Sequence, residues 1–123
     1  GTICGAGGTQ RLPRLIGETR AKEMIFTGRK ITAETAREWG LVNGVFTAGS
    51  LLEETLNLAE EITQNSPYAV TRAKRSVNGG REMLLEEALE WERSLFGECG
   101  ESRDRKEGMT AFLEKRPRIF TGE

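Results

Sequence analysis

The residues best able to do chemistry stand near the two ends of the chain. Close to the start, Gly5-Ala6-Gly7-Gly8-Thr9 is a glycine-rich turn ahead of a short helical stretch, Gln10 to Ile16. Successive backbone N–H groups at such a turn can hold a water, an oxyanion or a phosphate oxygen. Neither familiar nucleotide fingerprint fits: Gln10 stands where G-x-G-x-x-G needs its last glycine, and no Gly-Lys-Ser/Thr triplet exists for a P-loop. By itself the motif reads first as a tight turn and second as a donor site. Close to the end, Arg103, Arg105, Lys106, Lys115, Arg116 and Arg118 form a basic cluster. It suits phosphate groups, and it equally suits a solvated helix paired with Asp104, Glu107 and Glu114.

What the chain lacks narrows the chemistry further. With no histidine, Ser-His-Asp and Cys-His catalysis cannot be assembled from these residues. Cys4 and Cys99 are far apart and form no C-x-x-C pair, so a Cys/His metal site has no ligand set and both read as free thiols of a reducing compartment. Acid–base work falls to carboxylates. Most of these, such as Glu53, Glu54, Glu60 and Glu61, lie on helix faces opposite apolar stripes, where a solvated group gains little pKa tuning.

The elements that must carry these groups are mostly helices. Gln10 to Ile16 predicts a helix that tolerates Pro13 only in its first turn. Thr19 is expected to cap a helix through Phe26 that Gly28 closes, with Met24 and Ile25 inward. Thr32 is expected to cap the next helix, and Gly40 to stop it before Val42-Asn43-Gly44-Val45-Phe46, the one strand-like segment. Ser50-Leu51-Leu52-Glu53 has the form of a capping box, and Leu52, Leu56, Ala59 and Ile62 recur at helical spacing over 51 to 64. Ser66 as cap and Pro67 at the first helical position start a helix with Val70, Ala73 and Val77 on its apolar side, Arg72, Lys74 and Arg75 elsewhere, and an end at Gly79-Gly80. Leu84, Ala88, Trp91 and Leu95 mark the longest helix by an apolar stripe that needs a partner, and self-association through it is expected. Ser102 caps the last helix, in which Met109, Phe112 and Leu113 share a face before Pro117.

The 123 residues suffice for one ordinary domain. An apolar share of 37%, 30% charged residues and a mean hydropathy of −0.49 are polar for a self-sufficient globule. Eighteen basic against nineteen acidic residues leave a net charge of −1, so no global field favours nucleic acid or an anionic membrane. No apolar run approaches the roughly 20 residues of a membrane helix, and a soluble, intracellular protein is expected. The opening at Gly1, directly before a glycine turn, reads as a cut.

Five blocks in order carry a resemblance: Gly5-Ala6-Gly7-Gly8-Thr9-Gln10-Arg11-Leu12, Phe26-Thr27-Gly28, Ala36-x-x-x-Gly40-Leu41-Val42, Asn65-Ser66-Pro67, and Arg103-Asp104-Arg105-Lys106-Glu107-Gly108-Met109-Thr110-Ala111-Phe112, running on to Pro117. Together they resemble the enoyl-CoA hydratase/isomerase (crotonase) family along the whole chain. The resemblance implies a mainly α chain: the helical C-terminal part of a crotonase-type α/β spiral fold, with one short strand. Residues 1–48 would end the core, and 49–123 would form a helical oligomerisation region. It implies an acyl-CoA thioester as substrate, no cofactor beyond the CoA of that substrate, no metal, and a homo-trimer or hexamer in the cytoplasm or the mitochondrial matrix. The intact parent would add water across a trans-2-enoyl-CoA double bond to give a 3-hydroxyacyl-CoA. Its two catalytic glutamates and its oxyanion donors would lie upstream of Gly1-Thr2-Ile3. In this chain the resemblance assigns the Gly5 N–H to the nucleophilic water. It assigns Lys115 to a CoA phosphate and Phe112 to the adenine, both reached from a neighbouring subunit. Cys4 departs from the family's common proline. The alternatives are another reaction of the family such as enoyl-CoA isomerisation, a non-catalytic oligomerisation or binding module, and RNA binding through Arg72, Lys74 and Arg75.

Overall fold

The computed structural model describes all residues, 1–123, as seven helices with no strand. The chain is mainly α. Packing divides it into two units, Gly1–Glu54 and Thr55–Glu123.

The first unit contains α1 (Gly8–Ile16), α2 (Glu18–Thr27) and α3 (Ala33–Glu38). Helix α1 begins two residues before the expected start because the Gly7 carbonyl accepts from both Gln10 N–H (3.0 Å) and Arg11 N–H (2.8 Å). Pro13 therefore lies in the middle of α1 rather than in its first turn. Thr19 does not cap α2. Gly17, at φ +83°, turns the chain so sharply that α2 starts at Glu18, and the Gly17 carbonyl accepts from Ala21 N–H at 3.1 Å. Ile16 and Ala21 are buried where α1 meets α2. Gly28 ends α2 in the left-handed conformation, and the Thr32 hydroxyl caps α3 by accepting from Thr35 N–H at 3.1 Å. Gly40, at φ +77°, terminates that helix as Leu41 N–H returns to the Ala36 carbonyl at 2.8 Å. The strand expected at Val42–Phe46 is absent. Sheet structure requires a paired segment, and none lies beside this one; instead the Phe46 ring folds back over Gly44, where an added Cβ would meet it at 2.7 Å.

Helix α4 (Leu51–Thr63) spans the division and buries none of its residues. The second unit is built on α5 (Pro67–Gly80), α6 (Leu85–Glu101) and α7 (Arg103–Glu114). Ser66 caps α5, accepting from Ala69 N–H at 3.1 Å, and Ser102 caps α7, accepting from Arg105 N–H at 3.1 Å. Helices α5 and α6 form an antiparallel pair, and the face of α5 that meets α6 is not the expected Val70–Ala73–Val77 side, since Val77 is 68% exposed. Gly79 and Gly80 face Trp91 and Ala88, and small residues let the two backbones approach closely. Arg72 also turns inward onto α6, opposite to the sequence expectation: it stacks on Tyr68, 3.5 Å from the ring centre, and pairs with Glu98 at 3.1 Å. Part of the α6 stripe is thus used within the chain. Ala88 and Trp91 are half-buried against α5 and Leu95 is 2% exposed, while Leu84 stays outside. Burying Leu95 contributes about 2 kcal/mol.

Candidate functional site

The glycine turn is a mirror-image β-turn. Ala6 and Gly7 sit at φ +52° and +80°, and Gly8 N–H donates to the Gly5 carbonyl at 3.0 Å. Gly8 cannot be larger without disturbing Cys4, whose Cβ would stand 3.1 Å from an added Cβ. With its carbonyl engaged, Gly5 keeps an exposed N–H that no acceptor in the chain takes up. Chemically this is one fixed donor, suited to a water or a developing oxyanion. Beside it, α1 and α2 form an open groove of about 500 Å³ lined by Pro13, Ala21, Ile25 and Phe26 with Arg14 and Lys22 at its rim, a feature that sequence periodicity did not single out.

In the second unit, Phe112 is 82% exposed near the end of α7. Lys115 follows in the left-handed conformation at φ +54°, with its N–H donating to the Phe112 carbonyl at 3.3 Å and Arg116 N–H to the Ala111 carbonyl at 3.0 Å. Most of the neighbouring cations are spent within the chain. Arg116 forks onto Glu107 at 2.6 and 2.7 Å and also reaches Glu114 at 2.7 Å. Arg103 pairs with Glu123, Arg105 donates to the Gly100 carbonyl, and Arg118 lies over Phe120. Lys115 and Lys106 have no such partner, so Lys115 offers an uncommitted ammonium on a residue three positions after an exposed aromatic one. The patch of Arg72, Lys74 and Arg75 is likewise consumed: Glu98 accepts from Arg72 and lies 3.8 Å from Arg75, which leaves only Lys74 uncommitted.

Two acids that sequence reasoning took for ordinary surface charge organise this unit. Asp104 is 2% exposed and accepts from the Ser66 hydroxyl at 2.5 Å, from Thr121 N–H at 2.8 Å and from Gly122 N–H at 3.1 Å. Burial pushes its carboxyl up, but these bonds together hold it below its ordinary value. The Glu107 carboxyl is held down at about 2 by the Arg116 guanidinium and by Ile119 N–H, which donates to it at 2.9 Å. In turn, Glu107 and Glu114 raise the Arg116 pKa. The sequence gives one hint of Asp104: an acid in the first turn of a helix that Ser102 caps. No group of three or more His, Cys, Asp or Glu residues is placed to hold a metal ion.

The family model for enoyl-CoA hydratase/isomerase matches residues 1–123. The chain belongs to the enoyl-CoA hydratase/isomerase family. It is 48% identical over 120 residues to the mitochondrial enoyl-CoA hydratase of Pongo abelii, covering 98% of this chain and 41% of that protein. To the short-chain-enoyl-CoA hydratase of Clostridium acetobutylicum it is 43% identical over 116 residues, covering 94% of this chain and 44% of the relative. The crystal structure of an enoyl-CoA hydratase from Bacillus anthracis superposes with a TM-score of 0.95 at 46% identity, over 99% of this chain and 47% of the other. The chain therefore spans less than half the length of these family members. No helix is long and apolar enough to cross a membrane.

Proposed function

We propose that this chain is the C-terminal part of an enoyl-CoA hydratase subunit, whose complete form adds water to a trans-2-enoyl-CoA to give a 3-hydroxyacyl-CoA. The observation that carries this reading is the correspondence along the whole chain with proteins named enoyl-CoA hydratase, at 46% identity and a TM-score of 0.95 for the Bacillus anthracis structure. Conjugation with the thioester makes C3 electrophilic, and attack by water there pushes charge onto the thioester oxygen while C2 takes a proton. The acid–base carboxylates and oxyanion donors for these steps belong to the part of the subunit preceding Gly1. Within this chain, the Gly5 N–H orients the attacking water, a role supported by a donor left without an internal acceptor. Lys115 meets a CoA phosphate and Phe112 the adenine face, from a neighbouring subunit of a trimer or hexamer; an uncommitted ammonium and an exposed ring three residues apart support this pairing. The reaction needs no metal or redox cofactor, because the thioester itself accepts the transient charge. A matrix or cytoplasmic setting is in keeping with relatives named mitochondrial and with relatives from bacteria.

Loss of the conjugated thioester absorbance of crotonyl-CoA tests the proposal, measured on the full-length protein and on residues 1–123 alone. Turnover by the former and none by the latter is expected. Turnover by residues 1–123 alone would move the acid–base pair into this chain. Conversion of a 3-enoyl-CoA without any hydration of crotonyl-CoA would replace the hydratase reading by an isomerase one.

A further inference from the structure

Lys115 adopts a conformation that its residue type disfavours. A left-handed residue after a helix is usually glycine, sometimes asparagine, because a Cβ crowds the following carbonyl. Lysine persists there only when its surroundings over-determine the backbone. The surroundings here converge on Glu107, one of the acids inside α7. Its carboxylate grips the guanidinium of Arg116, the residue after Lys115, by two parallel bonds of 2.6 and 2.7 Å. The same carboxylate accepts from Ile119 N–H at 2.9 Å, so the chain leaving Lys115 is fastened back onto α7 at two points. On the other side, Lys115 and Arg116 N–H groups close on the Phe112 and Ala111 carbonyls.

The clamp also determines what the ammonium meets. Glu114, Glu107 and Glu123 are the carboxylates closest to Lys115 along the chain; Arg116 engages the first two and Arg103 the third. None of these carboxylates is left to capture the lysine. The guanidinium is the better group for this task, since its planar fork matches a carboxylate on two bonds while an ammonium acts as a point charge. One arginine thus holds the backbone turn and keeps its neighbour's charge free for an external anion.

We infer that Glu107, acting through Arg116 and the Ile119 N–H, is the positioning residue that aims Lys115 and Phe112 at the nucleotide end of CoA. This rests on the CoA contact proposed above for Lys115. Glu107 touches no substrate itself. Its effect is to fix one helix end, so that an ammonium and an aromatic ring are presented together instead of being ordered at the moment of binding.

A double-mutant cycle on the full-length protein tests the inference, with calorimetric affinities for CoA and for 3′-phospho-ADP, its nucleotide half. Lys115→Ala is expected to weaken both ligands roughly tenfold and Glu107→Gln roughly fivefold, as for loss of a charge-assisted contact and of its orientation. In the Lys115→Ala background, Glu107→Gln should change affinity by less than about twofold, because two residues acting through one contact are not additive. A Glu107→Gln loss that persists undiminished in that background would mean the clamp acts only on the fold, overturning the inference. The same follows if Lys115→Ala weakens CoA and Glu107→Gln does not, which would leave the Lys115 contact standing. Unchanged affinity in Lys115→Ala would instead overturn the contact itself, and the inference with it. Should Glu107→Gln fail to fold, Arg116→Lys keeps the charge, loses the fork and carries the same cycle.

Discussion

The glycine turn and the end of α7 solve the same problem by opposite means. Each holds one polar group free at an exposed position, the Gly5 N–H and the Lys115 ammonium, and each uses non-glycine backbone at positive φ, +52° at Ala6 and +54° at Lys115. The turn is fastened by backbone bonds between residues no more than four apart. The end of α7 is fastened by Glu107, which reaches Arg116 and Ile119 nine and twelve residues along the chain, and Asp104 at the start of the same helix reaches Thr121 and Ser66, seventeen and thirty-eight residues away. A local device is set by conformational preference and holds no ionisable group. A long-range device is set by carboxylates, so it responds to acid and to changes far away in sequence.

The sharpest way to break this contrast is at Asp104. Asp104→Ala strands the buried Ser66 hydroxyl and frees two tail amides, and a buried group left unsatisfied costs about 1–3 kcal/mol. We expect the second unit to lose about 3 kcal/mol in urea unfolding, with roughly half that for Asp104→Asn, which keeps an acceptor oxygen. A loss below about 0.5 kcal/mol, typical of surface substitutions, would show that the tail is not held through this carboxylate.

Acid should separate the two regions next. The Glu107 carboxyl is lowered from 4.5 to about 2 in the folded chain. A depressed carboxyl stabilises the fold fully above its unfolded value and loses that contribution as pH falls through the folded one. The difference in melting temperature between the parent protein and Glu107→Gln should therefore be constant above pH 4.5 and close as pH falls towards about 2. Asp104 acts in the same direction below its ordinary value of 3.8. A difference that closes between pH 5 and 8 would assign the clamp to some other group.

The contrast also explains which parts of the molecule were legible in the sequence. Thr32, Ser66 and Ser102 were readable as caps because a hydroxyl at a helix start needs only the amide three residues on. Gly28 and Gly40 were readable as stops for an equally local reason, and α6 was readable from its own stripe. What failed depended on partners remote in sequence. Asp104 and Glu107, among arginines and lysines, look like a solvated face until the tail folds back to supply their donors. Val70, Ala73 and Val77 form the apolar side of α5 in isolation, yet α6 packs on the small side, where Gly79 admits Trp91 to 3.0 Å from an added Cβ. Val42–Phe46 has strand composition but no paired segment. At the candidate site, spacing alone left the glycine turn and the basic cluster open between structural and binding readings. It was the resemblance that singled out Gly5, Phe112 and Lys115, because the features that distinguish them, a spare donor and an uncommitted cation, emerge only after every neighbour has found its partner.

The smallest effects belong to the turn, and their signs test its local character. At Gly7 an added Cβ meets the Arg11 side chain at 3.2 Å and forces a left-handed alanine, so Gly7→Ala should destabilise the first unit by about 1–2 kcal/mol. At Ala6 the change runs the other way. Ala6→Gly relieves a left-handed Cβ, but glycine also gains freedom in the unfolded chain, and the net stabilisation should stay below about 1 kcal/mol. Thermal melts at pH 7 and pH 4 read both variants. Opposite signs at adjacent residues, with neither shift changing between the two pH values, identify a turn fixed by backbone conformation alone. Equal and negligible shifts would mean that Ala6 and Gly7 do not keep positive φ in solution, and the Gly5 N–H would then lack the fixed direction that orienting a water requires.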